Sequence, residues 1–161
     1  MGEGLFYPRQ VVLLTSSYRG RSNLSCLDAI LPVGDGPDFV VFTLTKNSFT
    51  LELIERSKEF VIAIVDARFK DAVRLAGSVS GNVVDKVLEA GIVTERGAYV
   101  SAPYIVGALA NIECRAVGSF ECGERAIIVG EVLKINKEAS EGRENSKSLF
   151  IDVDGSLFEV G

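Results

Sequence analysis

The chain has 161 residues, 47% of them hydrophobic and 24% charged, with a formal net charge of −5. That balance suits one globular domain with a sizeable core; it excludes whole-chain disorder and argues against nucleic acid and anionic membranes as main partners. The sequence contains no histidine, which removes Ser–His and Cys–His triads and the usual zinc and haem ligand sets, and favours a cofactor that carries its own reactivity.

Val11–Thr15 is a continuous aliphatic run ended by the turn-rich SSYRGRSN, where Gly20 can supply the positive φ of a hairpin. Phe39–Thr45 is a second strand-like run, after the breakers Gly34, Gly36 and Pro37, and Phe60–Val65 is a third. Between them, Phe49–Ser57 has apolar residues at helical spacing. Phe69, Val73 and Ala76 repeat that spacing, as do Val84, Val87 and Leu88, with Gly91 as a helix stop. Ile105–Phe120 and Ala126–Ile135 are long β-capable stretches joined by the turn ECGER. Residues 137–148 form a polar loop, and Phe150–Val160 a last hairpin turning at Asp154-Gly155. Strands dominate without strict β–α alternation, so a mainly β fold is expected: one domain over residues 1–161, an antiparallel barrel carrying short helices.

Cys26, Cys114 and Cys122 form no CxxC or metal-ligand spacing, and no metal site is expected. An odd cysteine count argues for a reducing compartment. The opening MGEGLFYP lacks the basic and apolar regions of a secretion signal, and no apolar run approaches the roughly 18–20 residues that span a bilayer. The expectation is a cytoplasmic protein that engages no membrane.

Three segments can carry chemistry. In TLTKNSFTLELI a buried strand delivers the chain into a helix, and the orphan N–H groups there, with two hydroxyls and the Lys46 ammonium, can cradle a phosphate. The same residues serve equally as a plain helix cap. TSSYRGRSNLSC, Thr15–Cys26, offers hydroxyls and an amide to a polar cofactor, or is a polar hairpin. In SGNVVDKVLEAG, Asp85 and Lys86 open an amphipathic helix, with an exposed charge pair as the simpler account.

In order and with their spacings, these segments resemble the flavin-reductase-like family of FMN-binding split barrels, Greek-key antiparallel folds, and within it the flavoredoxin and archaeal ferric-reductase-like branch. The likeness runs from about Tyr7 to Asn136 and continues more weakly in Phe150–Val160. YPRQVVLLTS resembles the family's opening proline and first strand, and Asn23-Leu24-Ser25 its N-x-[SA] strand. Lys46-Asn47-Ser48-Phe49 resembles its basic–x–Ser–aromatic stretch, and Glu59-Phe60-Val61 its EFV strand. Ser80-Gly81 with Asp85-Lys86 is similar to its SG…DK element, Glu113-Cys114 to its "leC" strand, and Val129-Gly130-Glu131-Val132 to its "vGeV" strand.

The resemblance implies a homodimer with FMN at the interface. It implies phosphate contacts from Lys46, Ser48 and Thr50; ring contacts from Thr15, Ser16, Asn23, Ser25 and Cys26; and further cofactor contacts from Leu24, Thr45, Asn47, Ser80 and Lys86. Where many relatives carry GDH this chain has Gly123-Glu124-Arg125, so Arg125 becomes the candidate substrate-binding residue, meeting the phosphate of NAD(P)H as electron donor. Hydride transfer to a flavin needs alignment and no acid–base side chain, so no catalytic residue is assigned. The implied activity is an NAD(P)H-dependent flavin reductase or a flavoredoxin-like electron-transfer protein. The alternatives are a non-catalytic FMN-binding module on the same barrel and a flavodoxin-type carrier; Leu31-Pro32-Val33-Gly34 cuts short the helix a flavodoxin would need.

Overall fold

The computed structural model describes residues 2–78, 81, 84–138 and 145–160. In chain order the elements are β1 (Arg9–Gln10), β2 (Val12–Tyr18), β3 (Arg21–Leu27), β4 (Ile30–Val33), β5 (Phe39–Thr45), α1 (Phe49–Ser57) and β6 (Glu59–Ile64). They continue with α2 (Lys70–Ser78), α3 (Lys86–Glu89), β7 (Thr94–Glu95), β8 (Tyr104–Ile105), β9 (Ala110–Cys122), β10 (Arg125–Lys137), β11 (Ser148–Ile151) and β12 (Leu157–Val160).

Seven strands make one antiparallel sheet in the order β3-β2-β6-β9-β10-β5-β4. The expected hairpins at Gly20 and at Gly123 are both present, and β5 and α1 keep the expected bounds. Because β5 pairs with β10 and not with the next strand in sequence, the chain crosses the barrel through α1. This antiparallel sheet is incompatible with the flavodoxin alternative, which requires a doubly wound parallel sheet. Residues 105–109 are not part of β9: β8 ends at Ile105 and the chain turns at Gly107 before β9 begins. β4 was not read from the sequence because it contains Pro32; the strand lies at the edge of the sheet, where a missing N–H is tolerated. Lys137 still belongs to β10, Ser148 already belongs to β11, and residues 139–144 of the expected loop lie outside the described residues.

The sheet curls until side chains from its two ends meet. Leu27 of β3, Val40 and Phe42 of β5, and Ile54 of α1 share one core with Val12, Leu14, Phe60, Ile62, Cys114 and Ile128. At its centre Phe42 and Phe60 pack edge to face, their ring centres 5.1 Å apart. Gly130 makes room for this pair, because a Cβ there would lie 2.4 Å from Phe60 Cζ. A second core forms outside the barrel, where Leu13, Leu24 and Ala63 meet Val73 and Ala76 of α2 and Leu149 and Leu157 of the C-terminal hairpin. Cys114 is buried, as expected of a small apolar residue, and Cys122 at the β9–β10 turn is exposed. Leu88, expected on the apolar face of α3, is exposed instead.

Glu113 of β9 is wholly buried. Its Oε1 accepts the amides of Tyr99 (2.8 Å) and Val100 (3.1 Å), and its Oε2 accepts the Tyr104 hydroxyl (2.9 Å). Burial pushes the carboxyl up, but the hydrogen bonds from Tyr99, Val100 and Tyr104 outweigh it and leave the group below its ordinary 4.5. Burial and the Glu113 carboxylate together push Tyr104 up to about 12. The clamp pins the loop before β8 over Val61.

Two outcomes follow. Gly130→Ala should destabilise the fold by about 1–3 kcal/mol in urea titration, since Phe60 must leave its rotamer. A depressed folded value makes Glu113 contribute stability that is present above 4.5 and lost as pH falls through the folded value. Glu113→Gln should therefore melt below the native protein at neutral pH, with the difference closing as the pH is lowered through the acid range.

Candidate functional site

Residues directly opposite in an antiparallel pair share a face of the sheet. Ser16 opposes Asn23 and Leu14 opposes Ser25, so Ser16, Asn23 and Ser25 sit on the barrel-core side of β2 and β3. Helix α1 packs against the same strands and brings Thr50 to them. Asn23 Nδ2 donates to Thr50 Oγ1 (2.9 Å) and to Ser25 Oγ (3.4 Å), and the Ser25 and Thr50 hydroxyls are hydrogen-bonded to each other. All four residues are buried. Among the described residues, two of their atoms, Ser16 Oγ and Asn23 Oδ1, have no hydrogen-bond partner. A buried polar atom left unpaired costs about 1–3 kcal/mol, so two beside each other call for a ligand. Gly81 closes over the spot: a Cβ on it would come within 1.8 Å of Asn23 Oδ1.

The other expected phosphate residues do not converge with this group. Ser48 caps α1, its Oγ accepting the Leu51 amide at 3.2 Å, while Asn47 takes a left-handed φ of 64° just before it. Lys46 leans to the β9–β10 turn, where its Nζ meets Glu121 at 3.2 Å and its amide donates to the Glu124 carbonyl. Arg125 lies across β5: Nη1 donates to Thr45 Oγ1 (2.8 Å), and Nη2 to Thr43 Oγ1 (2.9 Å). Its guanidinium is thus occupied by its own sheet.

Thr15, Leu24 and Cys26 point to the opposite face of β2 and β3. Thr15 Oγ1 donates to the Pro103 carbonyl at 2.6 Å, and Leu24 belongs to the second core, with Cys26 packed against it. The Cys26 thiol is pushed up to about 11 by burial and by Asp28, with Lys86 partly offsetting them. Lys86 is itself buried, which pushes its ammonium down, and its Nζ donates to the Ala76 carbonyl at 3.0 Å. Ser80 lies outside the described residues.

Among the described residues β3 is an edge strand of the sheet, with Asn23 on one face and Lys86 behind the other. Among the described residues no cluster of metal-ligating side chains occurs. The sequence reading missed the basic pair Arg19 and Arg21, which flank Gly20 at the β2–β3 turn and line a cleft with Gly81.

Residues 1–155 match the flavin reductase like domain family. An uncharacterized protein of Pyrococcus abyssi is 30% identical over 153 residues, covering 93% of this chain and 88% of its own length. Among solved structures, the flavoredoxin of Methanosarcina acetivorans superposes with a TM-score of 0.86 at 26% identity, over 97% of this chain and 87% of that one. The NADH:FAD oxidoreductase of Streptomyces globisporus superposes with a TM-score of 0.81 at 19% identity, over 96% of this chain and 87% of that one. With the split barrel, the edge-strand polar group and a family match across nearly the whole sequence, the chain belongs to the flavin reductase-like family of flavin oxidoreductases.

Proposed function

We propose that the protein is an FMN-binding oxidoreductase that takes electrons from NAD(P)H, working as a homodimer in the cytoplasm. The observation that carries the reading is the pair of orphan acceptors, Asn23 Oδ1 and Ser16 Oγ, in an otherwise hydrogen-bonded polar set. An isoalloxazine ring and its ribityl chain present N–H and O–H donors to such atoms along with acceptors for hydroxyls. Asn23, Ser16, Ser25 and Thr50 would hold the flavin, Gly81 would pack against the Asn23 amide without a side chain in the way, and Lys86 would lie behind the edge strand. The flavin supplies the two-electron chemistry when bound. The protein binds and orients it, and leaves one face open to the donor.

The flavin phosphate would lie at the start of α1, beside Thr50 and the Ser48 cap, where helix amides favour an anion. Lys46 can join it only by leaving Glu121, and Arg125 would have to leave Thr43 and Thr45 to meet a donor phosphate. The NADH donor named for the Streptomyces globisporus oxidoreductase supports a nicotinamide donor here.

The outer face of β4, β5, β9 and β10 supports dimerisation. Leu31, Val33, Phe39 and Phe120 are exposed there, on the side of the sheet that also carries Val41, Ile127 and Val129. A second copy would cover this strip. The cytoplasmic assignment rests on three free cysteines, and among the described residues no helix is long and apolar enough to cross a membrane.

The purified protein should show flavin absorbance after FMN is added, and anaerobic NADH or NADPH should bleach it; bound flavin that neither donor bleaches would make the chain a passive carrier. Asn23→Leu should weaken FMN binding about tenfold or more while keeping the melting temperature within a few degrees, because it also removes an orphan. A purely structural Asn23 would show the reverse pattern. Phe120→Asp should turn a dimer into a monomer in sedimentation velocity.

A further inference from the structure

Helix α1 ends on a lysine where glycine is usual. Lys58 has a left-handed φ of 61°; its amide donates to the Ile54 carbonyl at 2.7 Å and its carbonyl accepts the Ala116 amide at 2.8 Å. Glycine suits such a helix end because it has no Cβ to crowd the left-handed region. Lys58 also stands three residues after Glu55, a spacing at which opposite charges on a helix can pair. Asp71 and Arg74, at that same spacing, do meet at 3.5 Å, and Glu52 and Arg56 meet at 3.6 Å. Glu55 and Lys58 do not, because the left-handed turn takes Lys58 off the helical path. Among the described residues neither of their side chains has an ion-pair or hydrogen-bond partner.

Both charges stand at a cleft. Strand β6 stops pairing with β9 at Glu59 and Arg115. The register of β9 on β10 slips at the next step: Ala116 opposes Gly130 and Gly118 opposes Val129, with Val117 bulged between them. Between that bulge and the last turn of α1 lies a cleft of about 260 Å³, lined by Ile54, Glu55, Lys58, Val117, Ser119 and Ile128 among others. Ile54 and Ile128 are each 1% exposed and belong to the barrel core, so the cleft reaches that core from outside. Its volume falls just below the roughly 300–1,000 Å³ of drug-sized ligand pockets, which suits a smaller molecule.

We propose that this cleft binds a small zwitterion with an apolar tail, a hydrophobic α-amino acid, with its carboxylate on Lys58, its ammonium on Glu55 and its side chain against Ile54, Val117 and Ile128. Charge complementarity carries the assignment. A wholly apolar ligand leaves both charges unused, an anion meets Glu55, and a cation meets Lys58. A zwitterion answers both. Exposed ion contacts alone contribute little, so the apolar floor supplies the burial that makes such binding worthwhile. The cleft lies at the far end of α1 from Thr50, and the inference is independent of the flavin reading.

Calorimetric titrations with L-leucine, L-alanine, L-leucinamide and isocaproate, on the native protein, Lys58→Gly and Glu55→Gln, test it. L-Leucine should bind the native protein about tenfold or more tighter than each of the others, which lack in turn the long tail, the carboxylate and the ammonium. Lys58→Gly places the preferred residue at the helix end, so it should melt within a few degrees of the native protein while binding L-leucine and L-leucinamide alike. Glu55→Gln should bind L-leucine and isocaproate alike. Failure of L-leucine to bind the native protein overturns the proposal, whether the cleft stays empty or a second copy covers it. A preference for L-leucine over L-leucinamide that survives Lys58→Gly overturns it too, since the carboxylate is then held elsewhere. Equal binding of isocaproate and L-leucine to the native protein rules out the zwitterion in favour of an apolar acid.

Discussion

The barrel depends on Phe60 lying across its centre. The ring fills the space between the two halves of the sheet, against Phe42, and it fits because Gly130 presents no side chain. With the interior occupied by aromatic and aliphatic groups, no cofactor can enter the barrel as a ligand enters a wider one. Polar chemistry is displaced to where the apolar filling ends, at the junction of β2, β3 and the start of α1. Asn23, Ser25 and Thr50 stand at that margin, and their mutual hydrogen bonds make burial tolerable there.

The site is therefore a product of two opposed requirements. The strand edge must stay open for a ligand, yet an open edge is a weak place to fix side chains within tenths of an ångström. Helix α1 meets the second requirement by fastening Thr50 onto β3 from inside. Lys86 does so from outside, tying the start of α3 to the Ala76 carbonyl in α2. Farther along the same outer face, Glu113 gathers two amides and a phenol, so the loop carrying Pro103 is held where Thr15 can donate to it.

How far the sequence disclosed this follows from which interactions are local. β5 and α1 were legible because FVVFTLT and the spacing of Phe49–Ser57 are set within a few residues of themselves. β4 was hidden by Pro32, whose acceptability depends on a missing neighbour, a fact of the whole sheet. Ser16, Asn23, Ser25 and Thr50 were named, and so were Thr15, Leu24, Cys26 and Lys86. Dividing them between two faces required the register of β2 on β3, which a pattern of small polar residues does not encode. The commitments of Lys46 to Glu121 and of Arg125 to Thr43 and Thr45 join residues 75 to 82 positions apart and left no trace in composition. Glu113 did carry a trace, a lone carboxylate inside an otherwise strand-like run, and its burial gives that trace its meaning.

The C-terminal hairpin bears on how the molecule comes to exist. Leu149 and Leu157 plug the second core beside Leu13 and Val65, and β11 pairs with β1 at the opposite end of the sequence. On a ribosome the first strands and α2 emerge long before residues 148–160, so the apolar outer face of β2 and β6 waits only partly covered through most of synthesis. Contacts between such distant segments are slow to close. Until they do, the nascent chain presents a surface that chaperones bind and that other nascent chains can join.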